Sequence, residues 1–179
     1  VEAIHNAAMK ILEEIGFEFI NEEAKSYLKK AGCNVSTSSD TVKMDRHWVM
    51  EMISKAPTEF TITPRIPEKK INVGGIIIVF VNVSWPPNVM DLDRGRRVGD
   101  FESFRDLIKF TQYFNCIHLA GGYPVEPVDI HASVRHLKCL YEKLTLTDKV
   151  CHAYSLGPER VEDALEMARI ASGLSNQDF

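Results

Sequence analysis

From Asp129 to Ala171 the chain reads as a polar helix, the tripeptide Thr147-Asp148-Lys149, a short apolar run, Gly157-Pro158 and a second helix. No other stretch constrains the fold as much. A helix, a tight turn, a buried strand and another helix form the repeating unit of a parallel α/β sheet or barrel. Just upstream, Asp100 suits the cap of a helix bearing Phe104, Leu107, Ile108, Thr111 and Phe114. Cys116 to Ala120 then reads as a buried strand and Gly121 to Val128 as a loop. Helices over Asp129–Leu144 and Glu159–Ala171 flank a strand over Val150–Ser155, with Pro158 suited to a first helical turn. The order αβαβα implies parallel strands joined by right-handed crossovers.

The segments before Asp100 have a different grammar. Ile4, Ala7, Ala8, Ile11, Leu12 and Ile15 fall on one helical face, and Gly16 suits a left-handed stop. Asn21 caps a second helix with Ala24, Tyr27, Leu28 and Ala31 as its stripe and Gly32 as its end. Val42 and Met44 suggest a short strand. Asp45 opens a third helix, with Trp48, Val49, Met52 and Ile53 facing inward until Pro57. From Phe60 the period becomes two, through Ile62, Ile71 and Val73. Gly74-Gly75 then turns the chain into the β-branched run Ile76 to Val83, which should be covered on both sides. A further short strand over Val89 to Leu92 ends at the basic turn Arg94 to Arg97. The expected α/β architecture is a helical cap over 1–58, a β-meander over 59–99 and βα units over 100–179. The chain opens inside a helical pattern and stops after a helix, so a piece of a longer protein is expected.

Composition narrows the function classes. A net charge of -4, with no basic cluster larger than Arg94, Arg96 and Arg97, argues against a nucleic-acid surface. The longest apolar run is far short of a membrane span, and no signal peptide is visible. The four cysteines lie far apart without a CxxC pair, which predicts buried free thiols in a reducing cytoplasm. Neither GxGxxG, a Walker motif nor GxSxG occurs, and no EF-hand spacing surrounds Asp91, Asp93 and Asp100.

Strand ends supply the candidate site, because α/β folds keep their chemistry at the C-terminal ends of parallel strands. Tyr123 follows the first strand, while His152 and Tyr154 share a face of the second. They read as a pocket lining, and His152 reads equally as a hydrogen-bonded core residue. His131 and Arg135, at i and i+4, are neighbours in a structural or polar network, with Arg135 pairing to a carbonyl or carboxylate. No further ligands accompany His131, so no metal site is expected. An anion-binding α/β enzyme with Arg135 as clamp remains open at this level.

The wording of the chain adds a family resemblance. Asp129-Ile130, Arg135-His136-Leu137, Tyr141, Leu144, Thr147-Asp148-Lys149 and the run Asp163 to Ala171 resemble the trimethylamine methyltransferase family. So do Ile11 to Gly16, Ala31-Gly32, Ala56-Pro57 with Phe60, Gly74-Gly75, Pro87 to Asp91 and Gly95-Arg96-Arg97. The similarity is collinear over essentially the whole chain.

This resemblance implies the N-terminal part of a corrinoid-dependent methyltransferase with an incomplete TIM-type barrel. A full barrel needs eight strands and roughly 250 residues. It also implies transfer of a methyl group from a methylamine or betaine to the cobalt of a separate corrinoid protein. No cofactor is then bound by this chain itself. Some family members carry pyrrolysine, at a position in a later part of the barrel; others resemble glycine betaine methyltransferases. A quaternary ammonium favours an aromatic cage worth about 0.5–2 kcal/mol per ring, for which Tyr123 and Tyr154 are contributors. The alternative is a non-catalytic module that docks a corrinoid protein or another subunit. Open sheet edges also predict pairing with another copy.

Overall fold

A computed structural model describes residues 1–153 and 155–177. Helices and strands mix throughout, and internal contacts divide the chain into two units, Val1–Pro57 and Thr58–Phe179.

In the first unit, α1 (Glu2–Lys10) runs into a π-helical turn over Ile11–Ile15, closed by Gly16 N–H on the Ile11 carbonyl at 2.7 Å. Gly16 takes φ 85°, and a Cβ there would sit 2.5 Å from the Val42 carbonyl oxygen, so glycine is required twice over. The chain continues through β1 (Phe17–Glu18), α2 (Glu22–Lys30), β2 (Asn34–Val35), β3 (Thr41–Lys43) and α3 (Arg46–Ser54). The strands form an antiparallel sheet in the order β1-β3-β2, with Val42 fully buried at its centre. Both expected caps are present. Asn21 Oδ1 accepts from Ala24 N–H at 2.9 Å, and Asp45 Oδ1 accepts from His47 and Trp48 N–H at 2.9 and 3.1 Å.

The stripe read on the first helix is not a buried one. Met9 is the buried side chain of α1, whereas Ile4, Ala7, Ala8, Ile11 and Ile15 remain exposed. Ile53 of α3 is exposed too.

The second unit begins with two separate hairpins. β4 (Glu59–Ile62) pairs antiparallel with β5 (Ile71–Gly74), and β6 (Asn88–Asp91) with β7 (Gly95–Val98). The expected continuous β-meander is therefore split, because Ile76 to Val83 joins neither hairpin beyond one bridge from Ile77 to Gly74. Instead the segment from Phe80 to Trp85 runs parallel to β8 (Leu119–Ala120). Val81 bridges Leu119, His118 N–H donates to the Phe80 carbonyl at 2.9 Å, and Trp85 N–H donates to the Tyr123 carbonyl at 2.7 Å. The run is not covered on both sides; Ile76, Ile78 and Val83 are exposed.

On its other edge β8 pairs parallel with β9 (Val150–Cys151), in the register Leu119↔Val150 and Ala120↔Cys151. α4 (Phe101–Tyr113) precedes β8, α5 (Ala132–Leu146) connects β8 to β9, and α6 (Pro158–Ser172) follows β9. Asp100 Oδ1 accepts from Ser103 N–H at 2.7 Å and caps α4 as expected. The core gathers Phe104, Ile108, Tyr123, Val125 and Cys139 from α4, the loop after β8, and α5.

Both parallel strands are shorter than the sequence pattern indicates. Lys149 Nζ donates to the Thr111, Phe114 and Ile117 carbonyls at 2.5, 2.8 and 2.7 Å. That ammonium curls residues 114–117 into a turn and delays β8 to Leu119. Cys116 is consequently exposed rather than buried, unlike Cys33 and Cys139. α5 starts at Ala132 rather than Asp129, with His131 as its cap. No helix among the described residues is long and apolar enough to cross a membrane.

Candidate functional site

Three chain segments run parallel, and their C-terminal ends bring Trp85, Tyr123 and His152 to the same end of the sheet. Side-chain clips lock the first two segments. Asn82 Oδ1 accepts from Gly121 N–H at 2.7 Å, and Ser84 Oγ accepts from Gly122 N–H at 2.9 Å. The two glycines permit this approach. A Cβ on Gly121 would lie 2.6 Å from Val81 Cγ1, and one on Gly122 would lie 3.0 Å from Ser84 Cβ and 3.1 Å from Trp85 Cε2.

Tyr123 is buried. Its ring stands edge-on to Phe104 at 5.6 Å and 89°, and Trp85 tilts against it at 5.3 Å and 43°. Beneath it, the Lys143 ammonium sits 5.8 Å from the ring centroid. Lys143 reaches from α5 to the strand ends, donating to the Gly121 carbonyl and, at 2.9 Å, to the His152 carbonyl. Burial pushes its pKa down to about 8. Burial also pushes the neighbouring Cys139 thiol up to about 12.

His152 lies just past β9. Its N–H donates to the Ala120 carbonyl at 2.9 Å, and the residue is exposed. The strand expected over Val150–Ser155 thus ends at Cys151, and Tyr154 lies outside the described residues.

His131 and Arg135 occupy the loop-to-helix junction of α5. His131 Nδ1 caps the helix, accepting from Ser133 N–H at 3.4 Å with Ser133 Oγ at 2.7 Å. Arg135 donates through Nε and Nη2 to the Ile130 carbonyl at 3.0 and 2.8 Å, and through Nη1 to the Glu126 carboxylate. Its guanidinium is engaged by a carboxylate, a poor starting point for clamping an anionic ligand. His136, one residue on, pairs its Nε2 with Asp163 Oδ2 at 2.8 Å and ties α5 to α6.

The opposite end of β9 carries a cleft of about 530 Å³ lined by Arg65, Asp148, Lys149 and Cys151 among others. Two of its charged groups, Asp148 and Lys149, serve the scaffold. Asp148 accepts from Lys69 Nζ at 2.6 Å, and Lys149 holds the three carbonyls described above. Among the described residues no cluster of three or more His, Cys, Asp or Glu could hold a metal.

Trp85 and Lys143 escape the sequence reading. Trp85 stands before two prolines and reads as a strand break. Lys143 continues the interior spacing of Cys139 and Leu140, but its residue type points to solvent.

Known proteins give this arrangement its context. Glycine betaine methyltransferase of Desulfitobacterium hafniense strain Y51 is 37% identical over 173 residues, covering 97% of this chain and 36% of that protein. Trimethylamine methyltransferase MttB of D. hafniense strain DSM 10664 / DCB-2 is 27% identical over 134 residues, 74% of this chain and 27% of that protein. Proline betaine:corrinoid methyltransferase of Eubacterium limosum is 38% identical over 71 residues, 40% of this chain and 14% of that protein. The chain therefore spans about a third of the length of the first of these relatives and less of the others. The sequence profile of the trimethylamine methyltransferase (MTTB) family matches residues 1–178, and the chain belongs to that family.

Proposed function

We propose that this chain is the N-terminal part of a methyltransferase that moves a methyl group from a methylamine or betaine to the cobalt of a separate corrinoid protein. The collinear family match over residues 1–178 carries this reading. The parallel run of Phe80–Trp85, β8 and β9, backed by α4 and α5, supports a second element of it: these are the opening strands of a TIM-type barrel. In such a barrel the ends at Trp85, Tyr123 and His152 would form part of the mouth, where chemistry is kept.

Methyl transfer from a quaternary nitrogen is a displacement at carbon, so alignment does much of the work and no general base is needed. The corrinoid, carried by the partner protein, supplies the nucleophilic metal. The residues of this chain bind and orient the donor. Lys143 fixes two strand ends, and Tyr123 forms the floor beneath Trp85. Tyr123, His152 and Tyr154 remain the proposed substrate-side residues, with His131 and Arg135 in the supporting network.

The complete protein, given cob(I)alamin and a panel of methylated amines and betaines, is expected to demethylate at least one of them and to consume the reduced corrinoid. No demethylation of any donor would sink the reading. The 179-residue chain alone is expected to show no turnover, since most of the barrel is missing; measurable turnover from it would refute the incomplete-barrel reading.

A further inference from the structure

Among the described residues other than glycine, Trp85 is held at a positive φ, 74°. A bulky L-residue adopts that conformation only where its surroundings impose it. Here they do. Its N–H is committed to the Tyr123 carbonyl at 2.7 Å, and the Pro86 carbonyl accepts from Glu126 N–H at 3.0 Å. Ser84, just before it, is clipped to Gly122 at 2.9 Å. The indole passes over Gly122, where a side chain would intrude at 3.1 Å, and rests on Tyr123. The strained backbone therefore delivers one large ring to one place, the C-terminal end of the first parallel segment.

Trp85 is 45% exposed in this chain. Tyr123 is only 3% exposed and already has the Lys143 ammonium 5.8 Å from its centroid. Phe104, the next aromatic inward, is fully buried. A quaternary ammonium carries no N–H to donate, so a carboxylate or carbonyl cannot select it by hydrogen bonding. The face of an aromatic ring can, and tryptophan offers the strongest one.

The geometry points to Trp85 as the cation-binding face for the quaternary ammonium head of the methyl donor, with Tyr123 setting the tilt of the indole from below. The inference rests on the methyltransferase reading above and names the residue that would distinguish a charged methyl donor from a neutral one of the same shape.

The test compares two ligands by calorimetric titration of the complete protein. Glycine betaine and 3,3-dimethylbutanoate share shape and carboxylate, but only the first has a positive head. The wild-type protein is expected to bind glycine betaine the more tightly. Trp85→Leu should weaken glycine betaine about tenfold and leave 3,3-dimethylbutanoate within about twofold, the loss of one cation–π contact. Trp85→Phe should fall between, and it decides alone if the leucine variant does not fold. Equal weakening of both ligands, or an unchanged preference in the variants, overturns the inference, as does a wild-type protein that does not distinguish the two. If methylated amines are demethylated yet the Trp85 variants keep their preference, only this inference fails. If no amine is demethylated, the function itself fails and the inference with it.

Discussion

Lys143 carries a charge into the interior of the second unit, where burial lowers its pKa to about 8 against an ordinary 10.5. Between those values the unfolded chain binds more protons than the folded one, so stability rises with pH across that window. Below about pH 8 both states are charged and the desolvation cost is present in full. The urea midpoint is expected to climb between pH 8 and pH 10, and Lys143→Met should flatten the climb. The cysteines offer a second reading at this scale. Cys116 is exposed, while Cys139 is buried with its thiol pushed up to about 12. Iodoacetamide at pH 8 should alkylate Cys116 and spare Cys139 in the native protein, as mass spectrometry of the peptides would show. Residues of this kind separate what the sequence can reveal from what it cannot. Tyr123 and His152 are legible as strand-end residues because their distance from an apolar run is local information. That Tyr123 is buried while Trp85 is presented depends on Phe104, Gly122 and Lys143, which converge only in three dimensions.

Elements follow the same division. The caps at Asn21, Asp45 and Asp100 are legible, since each concerns a side chain and amides two or three residues away. The hydrogen bonds from Ser103 hold the Asp100 carboxyl below its ordinary range. Its contribution is therefore present above the ordinary value and is lost as pH falls through the folded one. Asp100→Ala should cost about 1 kcal/mol at neutral pH, and the gap to the wild-type protein should close in acid denaturation. The run Ile76 to Val83 shows the other side. Its β-branched pattern announces an extended segment, but nothing local reveals that its partner is β8 rather than the preceding hairpin. The partnership depends instead on Gly121, which meets Val81, and on Asn82 and Ser84. Gly121→Ala should disrupt this pairing by about 1–3 kcal/mol, seen as a lowered denaturation midpoint.

At the level of the whole molecule, the second unit leaves much apolar surface in water, including Ile76, Ile78, Val83 and Leu92. Apolar side chains left in water favour association. The 179-residue chain on its own is expected to associate and to bind a hydrophobic dye. A monodisperse monomer in sedimentation velocity would count against this. Lys149 bears on how such a molecule comes apart. Its ammonium gathers carbonyls from Thr111, Phe114 and Ile117 immediately before β9 begins, so a helix end, a turn and a strand start share one fastening. Amide protons around that fastening should exchange with solvent in a single concerted opening instead of fraying outward from Tyr113, and cutting the one knot would release all three strings.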